Sequence, residues 1–169
     1  MGAPDLIEPI VGWRVWNIEE FSSLGWPRRP RTPRRPRTRS PHRLYSPFWE
    51  KPWQPLEPFE SVCEIDGSRL AFPRPNHAAP HSECTCGVYA VRELTPFESR
   101  RYPEHGGIIV EGQVALWGKL LVCERGWRAQ FAYPKSLTVL VAEDDETRWK
   151  EVVRDLGVYG VPIDVRFVR

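Results

Sequence analysis

The stretch IIVEGQVALWGKLLVCE, residues 108–124, decides the fold. It is the strongest strand signal in the chain, rich in β-branched and apolar side chains. Its 17 residues are too many for one flat strand, so Gly112 and Gly118 are expected to mark a bulge or sharp bend. Arg125-Gly126 then reads as a turn into a second strand over 127–133, giving a hairpin that Pro134 ends. A further strand is expected over 137–142. One helix follows over 144–156: Asp144 or Asp145 can cap it, and Trp149, Val152, Val153 and Leu156 recur at the i, i+3, i+4, i+7 spacing. Gly157 is placed to end that helix in the left-handed conformation. Residues 161–168 read as the last strand.

Working toward the N-terminus, residues 84–91 return to ordered chain after a proline-punctuated loop over 69–83. Residues 59–65 read as a short strand carrying Cys63. Between 45 and 59 the aromatics Tyr45, Phe48, Trp49, Trp53 and Phe59 alternate with prolines; rings this large are expected to lie buried against the body. Residues 10–18 form a first strand. Together these elements predict an α+β domain: a bent antiparallel sheet or small barrel with one C-terminal helix and a Cys/His-rich loop. Trp127, Ala129, Phe131 and Tyr133 share one strand face that is read as core, as are Trp13, Trp117 and Cys123.

At 169 residues the chain is expected to be a single domain, 1–169. A hydrophobic content of 41% and eight tryptophans indicate a folded protein, whereas 18 prolines and 12 glycines favour loops and short strands. The formal net charge of +2 conceals an asymmetry. Residues 27–38 are two copies of Pro-Arg-Arg-Pro-Arg-Thr, and Arg28, Arg29, Arg31, Arg34, Arg35, Arg37, Arg39 and Arg43 lie there or just beyond, with no acid among them. Of 24 basic residues, taking away these eight leaves 16 against 22 acidic ones, a formal −6 for the rest. Proline every third residue excludes helix and strand ladder, so 27–43 is expected to be a disordered, polyproline-like insertion. Eight guanidinium groups suit phosphates, which makes nucleic acid the favoured partner of this segment. Residues 1–25 lack the apolar run of a signal peptide, and no stretch is long enough to span a membrane. A cytoplasmic protein is expected, in which cysteines stay reduced or hold a metal.

Three of the four cysteines and two of the four histidines fall within the 24 residues from Cys63 to Cys86. Thiolates and imidazoles at this density suit a tetrahedral zinc site. Cys84 and Cys86 are two apart, so an extended backbone aims both at one side. His77 and His81 are both available as a fourth ligand. The competing readings are buried inert thiols and a redox or catalytic thiol; a structural zinc is preferred.

Several phrases resemble, as a set, an uncharacterised family of small, mainly actinobacterial proteins. They are Gly12-Trp13-Arg14-Val15-Trp16, then Trp53 and Cys63, His77-Ala78-Ala79-Pro80, Cys84-Thr85-Cys86-Gly87-Val88-Tyr89-Ala90, Val114-Ala115-Leu116-Trp117-Gly118, and Gly126-Trp127-Arg128-Ala129 with Ala132-Tyr133-Pro134. The resemblance covers most of the chain except the arginine repeat, which looks like a private insertion. It implies no established activity. It aligns His77 rather than His81 with the family pattern, so the expected zinc ligands are Cys63, His77, Cys84 and Cys86.

Catalysis finds little support. There is no Gly-x-Ser-x-Gly, phosphate-cradling loop or His-Glu-x-x-His, and His105 beside Glu104 reads as an exposed loop histidine. The sequence therefore describes a non-enzymatic, zinc-stabilised binding or accessory module, with nucleic acid as partner. Two alternatives stay open: a protein-interaction adaptor using the aromatic-proline stretch, and a metal-dependent hydrolase with an open zinc position. The sequence sets no oligomeric state.

Overall fold

The computed structural model describes residues 8–18, 41–46, 51–63, 77–95, 108–142 and 148–168. Seven strands form one sheet: β1 (Ile10–Asn17), β2 (Phe59–Glu60), β3 (Val88–Val91), β4 (Ile109–Cys123), β5 (Gly126–Pro134), β6 (Leu137–Ala142) and β7 (Ile163–Val168). The helix α1 (Arg148–Leu156) precedes β7. The arginine repeat, Trp49 and His105 lie outside the described residues.

The 15-residue β4 organises everything else. One edge carries β1 in antiparallel register from Ile10↔Leu116 to Asn17↔Ile109. The other edge carries two strands end to end, β6 over Ile109–Glu111 and β5 from Val114 to Cys123. Because β3 joins β1 to β5, strands β1, β3, β5 and β4 close into a ring of four. The two glycines of β4 do different work. Gly118 has φ +75° and sits where the β4–β5 register slips between Trp117 and Leu120; it is the expected bulge. Gly112 marks a close approach instead: a Cβ there would lie 2.0 Å from the Ser136 carbonyl oxygen, where the chain crosses from β5 to β6. The Lys135 and Ser136 amides donate to the Gln113 carbonyl at 2.8 and 3.3 Å and fix that crossing.

Period-two alternation assigns the faces. Val110, Val114 and Leu116 of β4 meet Val139 and Val141 of β6 in the main core, under Val152 and Leu156 of α1. Ile109, Val15 and Leu140 form a smaller apolar cluster on the reverse face. The helix buries the predicted stripe, Val152 and Leu156 fully and Trp149 and Val153 in part, at about 1.5–3 kcal/mol for each fully buried side chain.

Trp53 is 1% exposed, stacks on Phe59 at 4.8 Å between centroids and meets Trp16 edge-on at 5.5 Å. The Tyr159 hydroxyl pins this stretch, donating to the Trp53 carbonyl at 2.7 Å and accepting from the Leu44 amide at 3.0 Å. The aromatic-proline stretch is therefore structural where it is described.

Several expectations are corrected. β6 and β7 run parallel, because α1 carries the chain back across the sheet before β7 begins. The α-helix stops at Leu156, but Gly157 is not left-handed; it opens a 3-10 turn, Gly157–Tyr159, that delivers Tyr159 to the core, and Gly160 takes the left-handed conformation at φ 68°. Of the expected 59–65 strand, residues 59–63 are described, and among these Phe59–Glu60 join the ladder. Trp13, Trp117 and Phe131 are half-buried and outside the core, Phe131 stacking on Trp117 at 6.1 Å over the bulge. Cys123 is likewise half-buried, at the end of the hairpin.

Candidate metal centre

Two segments meet beside β5. Beyond β2, the Ser61 amide donates to the Gln130 carbonyl at 2.8 Å and its hydroxyl to the Ala129 carbonyl at 3.1 Å, which leads the chain along β5 to Cys63. The second segment, 77–87, precedes β3, whose first residue Val88 pairs with Ala129. Gly87, at φ +122°, lets it pass: an added Cβ would lie 2.9 Å from Pro80 and 3.1 Å from Arg128. Both segments are thus delivered to the same three residues of β5.

One ligand atom from each of Cys63, His77, Cys84 and Cys86 lies within 4.8 Å of all the others. Cys63 Sγ is 3.5 Å from Cys84 Sγ, and His77 Nε2 is 3.5 Å from Cys86 Sγ. A tetrahedron with metal–sulfur bonds of about 2.3 Å has edges of about 3.8 Å, so the four atoms stand near coordination distance from one centre. Cys86 is buried and the other three are half-buried. His81 lies against the cluster without joining it: its ring sits tilted by 32° against His77 with centroids 4.5 Å apart, and its Nδ1 accepts the Glu83 amide at 3.3 Å. The local turn uses His81, and His77 faces the sulfurs.

Arg128 buttresses the site. Its Nη1 donates to the carbonyl oxygens of Cys84 and, at 3.3 Å, of Cys86. Its guanidinium also lies 5.8 Å from the Tyr89 ring centroid, and the Tyr89 hydroxyl donates to the Thr85 carbonyl at 2.6 Å. Burial alone would push the Arg128 pKa down; contact with Cys123 and Tyr89 outweighs it and raises it. Burial alone would likewise push the Cys84 thiol up. Hydrogen bonds from the Cys86 and Thr85 backbone, with contacts to the Cys63 and Cys86 thiols, outweigh that and hold it below its ordinary value. The environment favours a thiolate, the form that binds metal. An open cleft of about 480 Å³ lies beside Cys84, with Tyr89, Cys123 and Arg128 in its wall.

The four residues named from the sequence converge, and Cys123 stands apart from them, lining the cleft. Arg128 escaped sequence reasoning because it reads as an ordinary outward strand residue. Its cross-strand position opposite Tyr89, next to Val88 and Gly87, is visible only after pairing. Of the eight arginines proposed for phosphate contact, only Arg43 is described; it is half-buried, with Nη1 on the His42 carbonyl at 3.2 Å. No helix among the described residues is long and apolar enough to cross a membrane.

The site defines a sheet-dominated protein with a Cys3His cluster able to hold a metal ion. The chain matches no family model, no curated protein and no solved structure.

Proposed function

We propose that Cys63, His77, Cys84 and Cys86 hold a structural zinc ion, and that the protein is a non-enzymatic cytoplasmic binding module for nucleic acid. The observation that carries the metal is the convergence of three sulfurs and one imidazole nitrogen within 4.8 Å. This donor set suits zinc over harder cations. Four protein donors complete a tetrahedron and leave no open position for water, which favours a structural role over the hydrolase. Three thiolates and a neutral imidazole around a divalent ion carry one net negative charge, which Arg128 offsets.

The nucleic-acid partner rests on the arginines from Arg28 to Arg43, against a remainder that is formally acidic. The adaptor alternative loses support from the full burial of Trp53 and the partial burial of Phe59, two of the rings it would have used.

The test has two arms. Native protein should carry one zinc per chain by elemental analysis, and cobalt in its place should give the visible bands of a tetrahedral thiolate site, lost in Cys86→Ser. Protein without bound zinc, and indifferent to chelator in its melting, would overturn the metal. Deleting 27–38 should leave melting unchanged while removing affinity for a nucleic acid duplex at low salt. Absence of binding by the intact chain under those conditions would overturn the partner.

A further inference from the structure

The sheet ends on β7, whose only strand neighbour among the described residues is β6. Its outward polarity can be worked out from one bond. The Leu137 amide donates to the Pro162 carbonyl at 2.9 Å, so Pro162 faces β6. Backbone groups alternate sides along a strand. Asp164, Arg166 and Val168 therefore also turn their N–H and C=O groups to β6. Ile163, Val165 and Phe167 turn theirs to the free edge. That edge presents three donors and three acceptors in a row, in a strand of six residues.

We infer that β7 pairs antiparallel with β7 of a second copy of this chain, about a two-fold axis through Val165. In that register Val165 faces the partner's Val165, and Ile163 faces the partner's Phe167. All are outward residues, so each pair exchanges both backbone hydrogen bonds and every donor and acceptor of the edge is satisfied. The residues between them fall at positions without backbone hydrogen bonds, where side chains approach closest. There Asp164 meets the partner's Arg166, twice by symmetry. Pro162 falls opposite the partner's Val168 at another such position, where its missing N–H is not needed. Phe167, 52% exposed in the single chain, gains an apolar cross-strand neighbour in the partner's Ile163.

Charge selects this register over its neighbours. A shift that centres the axis on Asp164 sets Asp164 against itself, and one centred on Arg166 sets two guanidinium groups together. Either places like charges directly opposite, which is unfavourable. Asp164 and Arg166 are exposed. Arg166 also donates to the buried Glu111 at 2.8 Å, which holds its stem in place while other N–H groups remain for the partner's Asp164. The dimer is isologous and closes on itself, so it does not grow into a fibre.

The test is the mass of the full chain in solution, by light scattering and sedimentation across a concentration series. Wild type should be a dimer. Asp164→Arg should weaken dimerisation by about tenfold or more, because it sets a guanidinium opposite the partner's Arg166 in both symmetry-related pairs, with melting of the monomer fold unchanged. Arg166→Asp should do the same, and an equimolar mixture of the two variants should form heterodimers, since both cross pairs become opposite in sign. A monomeric wild type, or a dimer that Asp164→Arg leaves intact, would overturn the proposal. If Arg166→Asp does not fold without its bond to Glu111, Asp164→Arg alone decides.

Discussion

Arg128→Met is the sharpest probe of the metal centre. It keeps the Cβ that Gly87 packs against and an apolar stem, and removes only the guanidinium. Two hydrogen bonds from a charged donor, to the carbonyls of Cys84 and Cys86, are lost. Each contributes about 1.5–3 kcal/mol when its acceptor is otherwise unsatisfied. Arg128 is half-buried, so the low end applies, about 3 kcal/mol for the two together. Water can replace part of this once the guanidinium has gone. The remainder falls on the ordering of 84–87 for coordination, and groups in that role typically change metal affinity about 10–100-fold. Zinc affinity measured by competition with a chromophoric chelator should fall by that factor. Hydrogen exchange should quicken over 77–89, while β1 and the first half of β4 stay protected because their ladders do not pass through Arg128. Unchanged zinc affinity would refute the buttress. Equal loss of protection in β1 would show that Arg128 supports the sheet rather than the site.

Other consequences follow from the packing. Trp53→Ala removes a ring that is 1% exposed and touches Trp16 and Phe59, so urea unfolding should show a loss of about 3–5 kcal/mol. Gly112→Ala places a methyl 2.0 Å from the Ser136 carbonyl oxygen, against the Ser136–Leu137 backbone rather than a flexible side chain; a loss of about 1–3 kcal/mol or more, or failure to fold, is expected, against near neutrality if the crossing can shift. Burial pushes the Asp155 carboxyl up, but His42, through its amide and its Nδ1 at 3.1 and 2.8 Å, and Arg154 hold it below its ordinary value. The unfolded chain therefore takes up this proton first as pH falls. The contribution is complete above the ordinary carboxylate value and lost as pH drops through the folded one. Asp155→Asn should flatten that part of the acid limb in a pH series of melting curves, and an unaltered limb would count against it.

The local elements were legible because their signals are local. Residues 137–142 form β6 with the expected bounds, and the hairpin is where it was expected, though its turn is Glu124-Arg125 rather than Arg125-Gly126, Gly126 already opening β5. The stripe Trp149, Val152, Val153, Leu156 specifies a helix face by spacing alone. Cys63, Cys84 and Cys86 were nameable because sulfur at that density has few other uses, whereas His77 and His81 were equal by spacing and only the resemblance favoured His77. The parallel pairing of β6 with β7 was within reach, since strand, helix, strand is the pattern of a crossover unit.

Elsewhere the deciding contact joins residues far apart in the chain. Gly112 and Gly118 look alike in sequence, yet one yields to the Ser136 carbonyl and the other supplies a left-handed bulge. Trp117 and Phe131 promised core by their size, but the bulge turns them to a half-exposed pair. Arg128 became part of the site only because β5 pairs with β3 and lays its guanidinium under the Cys84 and Cys86 carbonyls. Composition and period fix what a segment can be; which backbone passes within hydrogen-bond distance of which side chain is settled by strand pairing, and pairing is a property of the closed sheet.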